Sequence, residues 1–162
     1  MRTCLVVCVT SEKAACRAAS QVANALRTRG VAVDLACGRD LAALDEYDAV
    51  VLGAPLCHGH WERVVWRFLR RHRDALEQKN VALFTSDTCG GDQSGYDKAW
   101  SCTIKMLTRL GWLAPVRIEV FPDAAATSPQ SSCEIRPDVE RWVGNLVVSM
   151  HLTDRGIPGQ VK

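Results

Sequence analysis

Cys4-Leu5-Val6-Val7-Cys8-Val9 runs straight into Thr10-Ser11-Glu12-Lys13. The apolar run is short, continuous and rich in β-branched residues, which predicts a buried strand opening onto a polar loop. The pattern then repeats. Ala14 to Arg29 carries Val22, Ala25 and Leu26 at helical spacing, with Gly30 in the stop position. Val31-Ala32-Val33-Asp34-Leu35 alternates as an edge strand does, and Ala49-Val50-Val51-Leu52-Gly53 is a third apolar run. Trp61 to Gln78 predicts one long amphipathic helix, Val81-Ala82-Leu83-Phe84 a fourth strand and Asp97 to Leu110 a helix. Val116 to Phe121 predicts a fifth strand, and Asp138 to His151, with Pro137 near its start, the last helix. Strict alternation of strands and helices predicts an α/β fold, a three-layer, doubly wound, five-stranded parallel sheet.

The 162 residues suit one domain with a substantial core. Residues 1–152 are assigned to it. The tail 153–162, with Gly156, Pro158 and Gly159, is expected to be flexible. The polar stretch Ala124 to Arg136, which holds Pro129, reads as a surface loop.

Three loops each follow an apolar run: Thr10 to Lys13, Ala54 to Trp61, and Cys89 to Tyr96. In a parallel sheet all three open on the carboxyl edge, where open α/β sheets bind ligands. A net charge of +2 gives no reason to expect nucleic acid or a membrane surface as partner. Arg67, Arg70, Arg71, His72 and Arg73 form one local basic run, on a predicted helix whose apolar face is Val64, Val65, Phe68 and Leu69. It reads as a solvated face or as a docking patch for an anionic partner or lipid head groups.

The eight cysteines do not read as a disulfide framework. Cys4 and Cys8 lie in an apolar strand and Cys102 in a helix, where a free thiol behaves as a small hydrophobe. No CxxC spacing points to zinc or a thioredoxin-type site, so no metal is expected. The opening run is too short for a secretory signal, and no apolar stretch approaches the roughly 18 residues of a transmembrane helix. A reduced, cytoplasmic protein is the expectation. Cys57 and Cys89, in neighbouring loops, are either a redox pair or incidental thiols.

The first strand with Thr10-Ser11, the segment Gly53-Ala54-Pro55-Leu56-Cys57-His58-Gly59-His60, and the helix through Phe68, Leu69, Arg70 and Arg71 carry a resemblance. The chain resembles the flavodoxin-domain family, and within it the menaquinone-dependent protoporphyrinogen dehydrogenase branch. Gly91-Asp92-Gln93-Ser94-Gly95-Tyr96 is similar to the third loop of flavodoxins. The resemblance implies flavodoxin-like strand order 2-1-3-4-5 and flavin mononucleotide (FMN) as cofactor. Thr10, Ser11 and Lys13 would take the phosphate at a helix N-terminus, where the dipole favours an anion. Pro55, Leu56, Cys57, Trp61, Gly91 and Tyr96 would flank the flavin ring, with Trp61 and Tyr96 stacking on it.

The phosphate loop departs from the family's Ser/Thr-x-Thr-Gly-x-Thr pattern. Here Thr10-Ser11-Glu12-Lys13-Ala14-Ala15-Cys16 lacks the glycine, and Glu12 adds a negative charge that Lys13 offsets.

Two enzyme classes therefore stay open. One is an FMN-dependent redox protein, either a dehydrogenase of a small organic substrate or an electron carrier for a partner protein. The other is a flavin-free cyclase, isomerase or hydrolyase on the same fold, with His58 or His60 as acid or base and Asp92 as orienting partner. A non-catalytic binding module using Trp66 and the arginine helix is a third. Trp66, Trp100, Trp112 and Trp142 read as core or interface anchors.

Overall fold

The computed structural model describes residues 3–10, 13–37, 43–57, 59–87, 93–122 and 137–150. Five strands pair in parallel: β1 (Thr3–Cys8), β2 (Ala32–Cys37), β3 (Ala49–Gly53), β6 (Asn80–Asp87) and β7 (Arg117–Pro122). Their order is β2-β1-β3-β6-β7. Counting sheet strands only, this is the expected 2-1-3-4-5. Between β3 and β6 the chain adds a small antiparallel hairpin, β4 (Leu56–Cys57) and β5 (His60–Trp61).

Alternation along each strand divides the core into two layers. Cys4, Val6, Ala82, Phe84 and Phe121 face one side, under helices α1 (Lys13–Thr28) and α5 (Pro137–Ser149). Leu5, Val7, Val50, Leu52, Val81 and Leu83 face the other, under α2 (Arg63–Arg71), α3 (Arg73–Glu77) and α4 (Gln93–Leu110). Every residue of β3 is buried, because it lies mid-sheet with helices on both faces. Arg29 links α1 to α5, meeting Glu140 Oε2 at 2.9 Å and the Glu140 carbonyl at 3.1 Å.

Gly30 is the αL stop of α1, with φ 80°. Its N–H donates to the Arg27 carbonyl (3.0 Å), and the Val31 N–H donates to the Leu26 carbonyl (3.2 Å). This double closure satisfies the last carbonyls and brings Val31 onto Leu26.

Several boundaries differ from expectation, among them β6, which runs Asn80–Asp87 rather than Val81 to Phe84, and α5, which ends at Ser149 rather than His151. Residues 61–78 are not one helix: Trp61 belongs to β5, and α2 and α3 are separated at His72 (φ −105°, ψ 18°). The break leaves the backbone well bonded, since the His72 N–H donates to the Phe68 carbonyl at 3.0 Å and the His72 carbonyl accepts from Leu76 at 2.9 Å. It also keeps the His72 ring buried against Phe68, at 4.7 Å between centroids. Helix α4 begins at Gln93 rather than Asp97, and β2 runs on to Cys37. Cys4 and Cys8 are buried free thiols, as their apolar setting implied, and burial pushes Cys4 up to about 12. No helix among the described residues is long and apolar enough to cross a membrane.

Candidate functional site

The carboxyl ends of β1, β3 and β6 lie side by side, because these strands pair in register from Cys4 with Ala49 and from Ala49 with Asn80. The segments after them are therefore neighbours on one edge of the sheet.

After β1, Thr10 is 3% exposed, and its hydroxyl lies inward, 3.5 Å from Cys8 Sγ. Three residues on, α1 presents its N-terminus at this edge with no acidic residue in its first turn. Such an end favours an anion through its free N–H groups and dipole. Ser11 lies outside the described residues, as does the side chain of Lys13.

After β3, the Ala54 N–H donates to the Phe84 carbonyl at 2.9 Å, which extends the pairing with β6 by one residue. Pro55 is buried and Leu56 half-buried. The hairpin pairs Leu56 with Trp61 and Cys57 with His60. It reverses over two residues, and Gly59 supplies the left-handed conformation at φ 81°. A side chain on Gly59 would meet Cys102 Sγ of α4 at 3.5 Å, so the hairpin rests close to that helix. Trp61 is 3% exposed, its ring tilted against Trp66 with centroids 5.3 Å apart. Its role is thus first one of core packing, and the surface it offers at the edge is small. His60 is exposed, while His58 and the Cys57 side chain lie outside the described residues.

After β6, Gly91, Asp92 and Cys89 also lie outside the described residues. Of the proposed acid–base set, only His60 is described. Tyr96, in the first turn of α4, is half-buried. Its hydroxyl donates to Glu119 Oε1 of β7 at 3.3 Å, and its ring meets Trp100 edge-on with centroids 6.3 Å apart. Glu119, which also accepts the Val120 N–H, and Trp100 are supports that sequence reasoning did not assign.

Two buried polar atoms at this edge have no protein partner among the described residues: Trp61 Nε1 and the Thr85 hydroxyl. Thr85 is 1% exposed, and alternation from Val81 and Leu83 sets it on the side of the sheet that also holds Trp61. A buried polar group without a bond costs about 1–3 kcal/mol, so both atoms fit a bound polar ligand. The only sequence sign of Thr85 was a hydroxyl directly after the apolar run Val81 to Phe84. A cavity of about 370 Å³ lined by Thr3, Arg27, Val33, Asp34 and Tyr47 lies at the opposite end of β2, away from all three loops.

The flavodoxin domain family matches residues 7–129, well over half of the chain and including all three edge segments. The chain belongs to this family. Solved flavodoxins share its fold. Flavodoxin 2 from Bacillus cereus superposes with a TM-score of 0.59 at 17% identity, covering 93% of this chain and 98% of that one. A flavodoxin from the domain Archaea gives 0.60 at 14%, with 92% and 99% covered. The apo form of an NADH:FMN oxidoreductase gives 0.62 at 10%, with 96% and 92% covered. At these identities the likeness is one of fold. No curated protein sequence matches this flavodoxin-domain chain.

Proposed function

We propose that this flavodoxin-domain protein binds FMN at the carboxyl edge of its sheet and works in electron transfer. It acts either as a dehydrogenase of a small organic substrate or as a carrier for a partner protein. The observation that carries the proposal is the pair of unpartnered polar atoms, Trp61 Nε1 and the Thr85 hydroxyl, on the edge where family membership expects the flavin. Solved relatives of the same fold include flavodoxins and an NADH:FMN oxidoreductase.

Bound FMN supplies reversible one- and two-electron chemistry. The protein's part is to hold and shield it. The N-terminus of α1 and Lys13 balance the phosphate charge, with Ser11 as a hydroxyl donor. Thr10 anchors the loop from beneath through Cys8 rather than touching the phosphate from solvent. Pro55, Leu56, Cys57 and Gly91 line the ring slot, and Tyr96 stacks on it, braced by Glu119 and Trp100. Trp61 and Thr85 close the inner side and donate polar hydrogens into it. The motif Gly53 to His60 makes a protoporphyrinogen-type tetrapyrrole with a quinone acceptor the first substrate pair to try. The exposed arginines Arg63, Arg67 and Arg70 of α2, spaced along one stripe, offer a carrier's partner a basic landing face.

A reductive titration of FMN-loaded protein tests the proposal. A redox role predicts that the flavin stays bound when reduced and that its potential departs from that of free FMN, since the protein holds the two redox forms unequally. Flavin released on reduction, or a potential equal to that of free FMN, would contradict it.

A further inference from the structure

Three thiols meet beneath the first turn of α1. Period-two alternation turns Cys4, Val6 and Cys8 of β1 toward that helix, and Val33, Leu35 and Cys37 of β2 turn the same way. Cys8 and Cys37 are register partners on adjacent parallel strands. Cys16, on the fourth residue of α1, lies above them. The sulfurs of Cys8 and Cys16 both approach the Thr10 carbonyl at 3.7 Å, and the Cys37 sulfur approaches the Cys16 carbonyl at 3.9 Å. Cys16 is also close enough to interact electrostatically with both Cys8 and Cys37. Among the described residues no group of three or more His, Cys, Asp or Glu side chains is arranged to hold a metal.

Exposure selects the reacting pair. Cys8 is wholly buried, whereas Cys16 and Cys37 are half-buried. We propose that Cys16 and Cys37 form a thiol–disulfide exchange site, closing to a reversible disulfide that ties the first turn of α1 to the edge strand β2. The oxidant is a low-molecular-weight disulfide of the glutathione type. Deprotonated Cys16 attacks one of its sulfurs, forming a mixed disulfide and releasing one thiolate. Deprotonated Cys37 then attacks the Cys16 sulfur, forming the internal bond and releasing the second thiolate. Two protein thiols thus give up two protons and two electrons, and the reagent disulfide leaves as two thiols. Burial, with the neighbouring Cys16 next in effect, pushes Cys37 up to about 12. Closure therefore quickens as pH rises above neutral.

The site differs from the loop pair Cys57 and Cys89, and it does not depend on a bound flavin. The bridge would enclose α1 together with the turn at Gly30, holding the start of α1 at the edge where β1 and β2 end.

The test is oxidation of the fully reduced full chain with oxidised glutathione, an acid quench, alkylation and mass spectrometry. The expected result is the loss of two of the eight free thiols, a mass lower by two hydrogens, and tryptic fragment 14–17 joined to fragment 30–39. Cys16→Ser or Cys37→Ser should each abolish the loss, and Cys102→Ser should leave it intact. The proposal is overturned if wild-type Cys16 and Cys37 both remain alkylatable, end as separate glutathione adducts, or pair with other cysteines. The wild-type mapping decides the matter even if a serine variant does not fold.

Discussion

Gly53 and Phe84 are register partners on β3 and β6, and the Phe84 ring fills the space that a Gly53 side chain would need. A Cβ on Gly53 would lie 2.6 Å from Phe84 Cζ. The ring has little room to retreat, since Phe121 and Trp142 pack against it at 5.7 and 6.2 Å between centroids. Gly53→Ala should therefore cost about 1–3 kcal/mol through overpacking. Urea unfolding would show this as a lower midpoint at unchanged slope. Phe84→Leu should relieve part of the clash, so the double variant should lose less than the two single losses summed. Strict additivity would remove the contact as the cause.

Tyr47 donates a 2.7 Å hydrogen bond to Asp34 Oδ2 near the other end of the sheet. Burial first, then that bond and the charges of Asp34 and Glu46, push the Tyr47 hydroxyl up to about 12 from its usual 10.0. The folded state thus holds this proton more tightly than the unfolded chain. Its stabilisation is complete below pH 10 and is lost as pH rises toward 12. Cys4 and Cys37 are raised into the same range, so the informative quantity is the difference between wild type and Tyr47→Phe. Wild type should lose about 1–3 kcal/mol more than the variant between pH 10 and pH 12. Parallel alkaline stability curves would show that the Tyr47 proton does not matter.

Thr85 separates a structural from a ligand role. Its buried hydroxyl has no partner among the described residues, so Thr85→Val should leave the flavin-free protein equally stable or slightly firmer. If the hydroxyl bonds FMN, the same change should weaken binding by about tenfold, the worth of one neutral hydrogen bond. Thermal unfolding and a flavin titration on one preparation read both effects. Lost stability with unchanged affinity would make Thr85 a structural residue.

The order of the main elements was legible because buried parallel strands read as continuous apolar runs, as Cys4 to Val9 and Ala49 to Gly53 do. Gly30 marked the end of α1 for a physical reason, its positive φ. The hairpin was not legible, since strands of two residues have no periodicity to detect. The break at His72 was hidden too: Phe68, Leu69 and Leu76 keep an amphipathic pattern across it, and neither glycine nor proline stands there. At the site, the aromatic types of Trp61 and Tyr96 suggested stacking, but no local pattern could tell that Trp61 packs on Trp66. The convergence of Cys16 with Cys37 also depends on strand register, which a single chain does not spell out.

Lys13 should act on the phosphate alone. Lys13→Ala should weaken FMN binding by about tenfold, close to 1.4 kcal/mol, while leaving riboflavin, which lacks the phosphate, unaffected. The FMN affinity of wild type should also fall with added salt more steeply than that of the variant. Equal losses for both ligands would point to a disturbed fold rather than a phosphate contact.

The most direct test of FMN binding at the sheet edge is a fluorescence titration of FMN with the purified chain. The expected result is saturable quenching with a Kd well below about 100 µM, equivalent to binding stronger than roughly −5.5 kcal/mol, and weaker quenching for Tyr96→Ala. No saturable quenching up to that concentration would contradict it, and His58, His60 and Asp92 would then become the residues to mutate.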